Sequence, residues 1–90
     1  MTILVDSAIW PAHGRLWAHL VSDSDLEELH AFAAAHGLPR RAFDLDHYDV
    51  PADAVDRLLA GGAVRVTGRE LVRRLAASGL RVSQRERRGL

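Results

Sequence analysis

Short apolar runs along the chain alternate with segments in which apolar residues recur at helical spacing. The runs Ile3–Val5 and Leu16–Val21 are rich in residues that favour strands, and they predict two buried strands. The segment between them, Ser7–Arg15, contains Pro11 and Gly14 and is interpreted as a loop. Alternate side chains of the second strand are expected to face opposite sides of a sheet.

Three helices are predicted from their start signals. Ser24 with Glu27, and Thr67 with Glu70, have the spacing of capping boxes, in which a hydroxyl accepts from the backbone N–H three residues later. The two helices that follow are expected to end just before glycines, near positions 36 and 78. Pro51 suits the first turn of a third helix, which runs to about position 60.

Two further strands, His47–Val50 and Ala63–Val66, complete the order ββαβαβα, with Leu38–Asp46 as a polar connection. This alternation predicts an α/β fold with about four mostly parallel strands and three helices. The loop between the first two strands is too short for a helical crossover, so that pair is expected to be antiparallel or not adjacent. Residues 1–79 are expected to form one domain, and residues 80–90 a flexible, arginine-rich tail.

Charge and composition exclude several classes of protein. The chain has 12 basic and 12 acidic residues, so there is no bulk electrostatic case for binding nucleic acid or a membrane. The tail is locally basic, and either it contacts nucleic-acid phosphates or it is solvated; its arginines are Arg81, Arg85, Arg87 and Arg88. There is no cysteine, which excludes disulfides and thiolate metal sites. No apolar run approaches the ~20 residues of a membrane span and no signal-peptide pattern is present, so a cytoplasmic location is expected.

Histidines and carboxylates form the first candidate site. Imidazole and carboxylate together suit metals such as zinc, manganese or nickel. His47 and Asp49 are two apart on a strand and therefore share a face, and Glu27 and His30 are three apart on a helix. The expected metal ligands are His19, Asp23 and His30, with His47 and Asp49 in catalytic roles. The alternative is that the histidines are hydrogen-bonded at the edge of the core and that Asp49 caps a helix.

Aspartates at the ends of strands form the second candidate site. Clustered carboxylates hold magnesium or manganese, and such sites cleave phosphodiesters. Asp6, Asp23 and Asp49 lie at or near strand ends. Asp23 and Asp49 also precede helices, where an acid stabilises the helix dipole. Asp6 has no such role, because it lies between a buried strand and a long loop, and it is the first choice for a catalytic carboxylate.

Two further features have weaker signals. Thr67, Gly68 and Arg69 stand where a strand enters a helix, and they are a candidate anion site, with plain helix capping as the alternative. Trp10 and Trp17 flank the first loop and either stack a base or anchor the loop. There is no phosphate-binding glycine motif, so no nucleotide cofactor is indicated.

Three strings of residues occur together: HLVSDSDLEELHAFAAAHGL, HYDV and GAVRVTGRELVRR. With Val5-Asp6 at the end of the first strand, they resemble a family of small bacterial and phage proteins that is known only as a domain of unknown function. The shared features are His19, Asp23, the helix start at 27–30, and His47-Tyr48-Asp49. This resemblance implies no known activity.

A second resemblance is to PIN-like ribonucleases. The string ILVDSAIW is similar to their first strand, whose terminal aspartate holds a divalent ion, and this resemblance implies that role for Asp6. The string GGAVRVTGRE resembles a late strand of theirs. However, Gly68 and Arg69 follow Thr67 where the family has an aspartate, and Glu70 is the nearest acid.

Two functions are compatible with these residues. The first is a hydrolase in which a divalent metal (magnesium, manganese, zinc or nickel) in the His/Asp pocket activates water against a phosphoester, a nucleotide or RNA. The second is a non-catalytic module that binds a small anionic ligand, a metal or a protein partner. A homodimer is compatible with either function. The two functions are distinguished by whether His19, His30 and His47 lie close together in the fold.

Overall fold

The computed structural model describes residues 2–82 as one mixed sheet with three helices. The strands are β1 (Ile3–Val5), β2 (Trp10–Ala12), β3 (Arg15–Ser22), β4 (Phe43–Asp44), β5 (His47–Pro51) and β6 (Val64–Arg65). The helices are α1 (Leu26–Ala35), α2 (Val55–Ala60) and α3 (Gly68–Ser78). Short 3₁₀ turns at Arg40–Ala42 and Ala52–Ala54 precede β4 and α2.

The sheet is mostly antiparallel, and the predicted mostly parallel sheet is wrong. The strand order is β4-β5-β3-β1-β6, and β2 also pairs with β3. Strand β3 is antiparallel to β1, β2 and β5, and β4 is antiparallel to β5, whereas β1 and β6 are parallel. The helical connections do join strands that run in the same direction, β3 to β4 and β5 to β6. These strands are not neighbours, because β5 lies between β3 and β4, and β3 and β1 lie between β5 and β6.

Two hairpins that were interpreted as loops account for the difference. Strand β2 lies within the predicted loop before β3, and it turns back through His13 and Gly14, both in the left-handed region (φ +52° and +77°). Two consecutive left-handed residues make the tight turn that matches the twist of antiparallel strands. Strand β4 has only two residues and lies within the predicted connection before His47. Each hairpin adds a reversal of the chain that a βα alternation does not contain.

The three predicted helices are present, with small differences at their starts. Helix α3 is capped as predicted, since the Thr67 hydroxyl accepts from the backbone N–H of Glu70 at 3.0 Å. Helix α1 is capped one residue later than predicted, by Asp25, whose carboxylate accepts from the N–H of Glu28 at 2.7 Å. Pro51 is the last residue of β5 and not part of a helix.

The two faces of the sheet are covered unequally. The face that presents Val5, Leu20 and Val50 packs against α1 and α2 and forms the main core. The opposite face is covered by α3 through a small cluster of Leu4, Val21, Leu71 and Leu75. Further along β3 on this second face stand the side chains of His19 and Trp17, which are only half-buried. The second face of the sheet is therefore packed against α3 in one part and accessible to solvent in another.

Among residues 2–82, no helix is long and apolar enough to cross a membrane.

Helix α3 is expected to depend on its few buried leucines. Leu75 is 1% exposed, and its replacement in Leu75→Ala should lower the free energy of unfolding by about 2–5 kcal/mol, because the small cluster has few neighbours that can fill the cavity. Val72 on the same helix is 43% exposed, so Val72→Ala should cost about 0.5 kcal/mol or less. Urea unfolding of both variants measures this difference, and equal losses would show that α3 is not held by this cluster.

Candidate functional site

A cleft of about 430 Å³ lies on the second face of the sheet, beside α3. Its apolar wall is formed by Val21 with Leu71 and Leu75, the residues that attach the helix to the sheet. Its polar wall contains the histidine and aspartate side chains of the cleft, and Trp10 and Arg81 also line it. The histidines and aspartates are Asp6, His19, Asp44, His47 and Asp49. The cleft exists because α3 covers only part of this face.

His19 is held by Asp6, which follows the neighbouring strand β1. One oxygen of the Asp6 carboxylate accepts from the backbone N–H of His19 at 2.6 Å, and the other lies 2.8 Å from its Nδ1. A carboxylate only accepts, so Nδ1 bears the hydrogen and the neutral ring has its free lone pair on Nε2. Asp6 is 7% exposed, and this carboxylate therefore fixes both the position and the tautomer of His19.

Trp10 supports the same ring from the side. Its indole stacks on the His19 imidazole with ring centroids 5.0 Å apart and an angle of 18° between the planes. The Trp10 Nε1 atom is buried and has no hydrogen-bond acceptor among residues 2–82. The imidazole of His19 is thus fixed by a carboxylate at one edge and by an aromatic face.

His47 is held in the same way by Asp46. The Asp46 carboxylate is fully buried, and one of its oxygens lies 2.7 Å from His47 Nδ1. Its other oxygen accepts from the backbone N–H of Val82 at 2.8 Å and lies 3.8 Å from the guanidinium of Arg81. The hairpin turn that places Asp46 here has Leu45 at φ +59°, a conformation that is unusual for a leucine.

The free ends of both imidazoles meet the carboxylate of Asp49. Asp49 is paired with His19 across β3 and β5, and it shares a face of β5 with His47. One ligand atom from each of these three residues lies within 4.8 Å of the others. The imidazole centroids are 5.1 Å apart, and His47 Nε2 lies 3.1 Å from Asp49 Oδ1.

One atom of this group lacks a partner of its own. Asp49 Oδ1 is buried and accepts no hydrogen bond from residues 2–82, although it lies 3.1 Å from His47 Nε2. A buried carboxylate oxygen without a hydrogen bond is unfavourable, and a cation shared with the neighbouring imidazoles would satisfy it.

The cleft brings together four of the histidines and aspartates singled out in the sequence. His19, His47 and Asp49 form a group that could hold a metal, and Asp6 lies behind His19. Asp6 was expected to be the leading catalytic carboxylate, but both of its oxygens are engaged by His19. Its position is that of a residue that orients a ligand.

Asp23 lies at the other end of the sheet from Asp6. The two were grouped as clustered carboxylates at strand ends, but β1 and β3 are antiparallel neighbours, one of the two arrangements expected for this pair, and Ser22 pairs with Ile3. Antiparallel strands end at opposite edges of the sheet, so the two aspartates lie apart. Asp23 accepts from the N–H of Thr2 at 2.8 Å and pairs with Arg74 at 2.6 Å. These bonds, with the Thr2 N–H making the largest contribution, lower the pKa of Asp23, and they tie α3 to the start of β1.

His30 lies on the far face of the sheet. Its Nδ1 is 2.7 Å from the Tyr48 hydroxyl, and its ring packs edge-on against Phe43 at 4.6 Å. Tyr48 faces away from the cleft, because it stands between His47 and Asp49 on β5. Burial of the imidazole, with a smaller effect of Arg40, lowers the pKa of His30.

Of the three residues predicted to bind an anion (Thr67, Gly68 and Arg69), only Gly68 lines the cleft. A Cβ added there would stand 3.8 Å from the Asp6 carboxylate, an ordinary contact. The Thr67 hydroxyl is occupied as a helix cap, and Arg69 is exposed outside the cleft lining. The surroundings of Gly68 are therefore acidic, which does not favour an anion at this point.

Sequence reasoning missed Asp46 and the support that Trp10 provides. Asp46 is adjacent to His47 in the sequence, and neighbouring side chains on a strand point to opposite faces. The sequence therefore does not predict that the two side chains contact each other. Only the turn at Leu45 allows the two to meet. The first residues of the arginine-rich tail also contact the site, through Arg81 and Val82, whereas Arg85, Arg87 and Arg88 lie outside the described residues.

The class of protein is an α/β domain with a histidine–aspartate cleft on a half-covered sheet face. The chain belongs to the family described as "Protein of unknown function (DUF4031)", whose family model matches residues 3–78. This agrees with the first resemblance read from the sequence. No curated protein and no solved structure matches the chain, so the resemblance to PIN-like ribonucleases receives no support from these comparisons.

The buried position of His30 predicts a pH dependence of stability. Because its pKa is lowered in the folded state, the unfolded chain takes up this proton first, and stability falls as the pH drops below the ordinary value of 6.5. His30→Gln should reduce the loss of unfolding free energy between about pH 7 and about pH 5. Urea unfolding at both values measures it, with the exposed His13→Gln as the control. An unchanged pH dependence in His30→Gln would contradict this account.

Proposed function

We propose that the domain binds one divalent transition metal through His19 Nε2, His47 Nε2 and the Asp49 carboxylate, and that it hydrolyses a phosphoester with this metal. The observation that supports the proposal is the pair of buried aspartates. Asp6 and Asp46 each engage the Nδ1 of one histidine, which leaves each Nε2 as the nitrogen that can bind a metal beside Asp49. Metal-binding histidines have such carboxylate partners, which fix the tautomer and make the ligand more basic.

The same arrangement is costly without a cation. The carboxylates of Asp6 and Asp46 are satisfied by hydrogen bonds, but Asp49 Oδ1 is buried beside His47 without one. The imidazoles alone, when neutral, leave this group with an excess of negative charge. A divalent ion would balance the charge and give Asp49 Oδ1 a partner.

The donor set narrows the choice of metal. Two imidazoles and one carboxylate suit zinc, nickel or iron, whereas magnesium prefers oxygen ligands and retained waters. Three protein ligands also leave a coordination position open, as in catalytic zinc sites, while structural zinc sites are closed by four. The cleft gives that position access to solvent, because the His19 side chain is 31% exposed.

The open position supports hydrolysis. A metal held by His19, His47 and Asp49 would lower the pKa of a coordinated water to near neutrality and would polarise a phosphoryl oxygen. In such a hydrolysis the hydroxyl of the water would bond to phosphorus as the ester P–O bond breaks, and the second proton of the water would go to the leaving oxygen. Arg81, a basic side chain of the cleft lining, is 40% exposed and can approach an anionic substrate.

Metal content tests the ligand assignment. Purified protein without an affinity tag is expected to contain stoichiometric metal by elemental analysis, and His47→Ala and His19→Ala should abolish it. His30→Ala is the matched control, because His30 lies on the other face with Tyr48 and should retain full metal content. Wild-type protein that retains no metal and shows no thermal shift with added zinc, nickel or manganese would contradict the proposal.

Hydrolysis of a chromogenic phosphodiester by the metal-loaded protein tests turnover. Loss of activity in His47→Ala would support a hydrolase. Stoichiometric metal without hydrolysis of any phosphoester would instead support the non-catalytic binding module.

The buried aspartates should control metal affinity without touching the metal. Asp46→Asn leaves His47 in place but removes the charge behind it, and metal affinity should fall by about 10–100-fold. Competition with a metal-binding dye measures the dissociation constant, and circular dichroism verifies the fold. Asp56→Asn, at an exposed position on α2, should have no effect. An Asp46→Asn protein with wild-type affinity would show that Asp46 only stabilises the turn.

A further inference from the structure

A second cleft adjoins the candidate metal centre and extends to the end of the sheet where β3 begins and β5 ends. It encloses about 740 Å³, and Trp10 and Asp49 line both clefts. We call this second cleft the tryptophan groove; the lining residues that matter are Trp10, Trp17, Arg15, Arg41 and Arg57. Its far side is formed by the segment that follows α1 and by α2 with the 3₁₀ turn before it.

The floor of the groove is aromatic. Trp10 and Trp17 are opposite each other on β2 and β3, with ring centroids 6.4 Å apart and an angle of 30° between their planes. Trp10 also stacks on His19, so the three rings lie next to one another beside the metal centre. Both tryptophans are half-buried, so part of their surface is accessible to a ligand.

The walls of the groove contain cations without anionic partners. Arg15, Arg41 and Arg57 are exposed, and none of them forms an ion pair with an acidic side chain of residues 2–82. Arg15 lies over the Trp17 ring at 5.8 Å, and Arg57 donates to the backbone carbonyl of His36. The acids of this lining are Asp49, which we assign to the metal, and Asp53. The groove is therefore complementary to a negatively charged ligand with flat rings.

We infer that the tryptophan groove binds single-stranded nucleic acid, with bases on Trp10 and Trp17, backbone phosphates on Arg15 and Arg41, and a phosphodiester at the metal centre. Aromatic platforms next to unpaired arginines are how proteins bind single strands without reading sequence, because every base has a face that stacks. The placement of the phosphodiester at the metal centre rests on the proposed function. The binding of the strand to the groove does not rest on it, because only Trp10 and Asp49 are shared between the lining of the groove and that of the first cleft.

The extent of the groove favours a ligand longer than one nucleotide. A single nucleotide cannot contact both tryptophans, the arginines of the groove and the metal centre at once, whereas a strand of several nucleotides can. A strand of several nucleotides is expected to bind more tightly than a mononucleotide. A duplex keeps its bases stacked inside and offers no free ring to the tryptophans.

Fluorescence anisotropy tests this with a labelled single strand of about eight nucleotides, which is within the footprint of small single-strand-binding domains. The titration is made in EDTA, so that it does not depend on the metal, with oligouridine and oligothymidine to compare RNA with DNA. A mononucleotide and a duplex of the same length serve as competitors. The single strand is expected to bind at least about tenfold more tightly than either competitor.

Matched variants identify the surface. Arg15→Gln/Arg41→Gln should reduce the salt dependence of binding (the slope of log affinity against log salt) by about 1.4, from ~0.7 per phosphate contact. Arg65→Gln/Arg73→Gln removes the same charge outside the groove and should leave affinity unchanged. Trp17→Leu should weaken binding by about tenfold, and Trp17→Phe, which keeps a stacking ring, should restore most of it.

The outcomes separate this inference from the proposed function. Binding that is lost in Arg15→Gln/Arg41→Gln but kept in His47→Ala supports the groove whether or not metal is found. Equal affinity for the mononucleotide and the single strand, or equal losses in the two arginine double variants, would overturn it. Preferential binding of the duplex would overturn it as well. A wild-type protein that binds metal but does not bind the single strand would overturn this inference and would leave the proposed metal centre unaffected.

Discussion

The pairing of β3 with β5 is the constraint on which both the fold and the candidate site depend. Strand β3 lies at the centre of the sheet, and its register with β5 sets His19 opposite Asp49 and Leu20 opposite Tyr48. Since strand side chains alternate, one register places an imidazole and a carboxylate on the open face and places two core residues on the covered face. The core therefore fixes the site, because a slip that moved the ligands would expose Leu20 and Tyr48.

The domain buries two aspartate side chains, Asp6 and Asp46, that core packing alone does not require. Asp6 follows β1 and Asp46 lies in the turn between β4 and β5, yet each lies within hydrogen-bond distance of a histidine Nδ1. A buried carboxylate costs free energy unless it is paired and hydrogen-bonded. Both meet that condition through the histidines and through backbone N–H groups, those of His19 and Val82. The result is a pair of imidazoles with fixed orientation, which suits a metal ligand better than a flexible surface histidine.

The sequence allowed the local elements and much of the site to be predicted, but not their arrangement. Period-two patterns placed His47 and Asp49 on one face, and Thr67 marked the start of α3, because these signals depend only on neighbours in the chain. The sheet direction was predicted wrongly, because β2 and β4 have three and two residues and no clear strand pattern. Asp46 was missed because its role depends on the left-handed conformation of Leu45, which no propensity of leucine predicts.

The two-residue turn between β4 and β5 has a consequence for how sequences of this family can vary. Because β5 begins directly after it, inserting or deleting one residue at Leu45–Asp46 would exchange the faces of every side chain on β5. His47 and Asp49 would then enter the apolar core, and Tyr48 would enter the cleft. A change of length is expected to be tolerated between β1 and β2, because Ser7–Ile9 joins two strands that do not pair with each other. It is not expected to be tolerated in the β4–β5 hairpin. In an alignment of relatives, gaps should occur at Ser7–Ile9 and be absent from Leu45–Asp46.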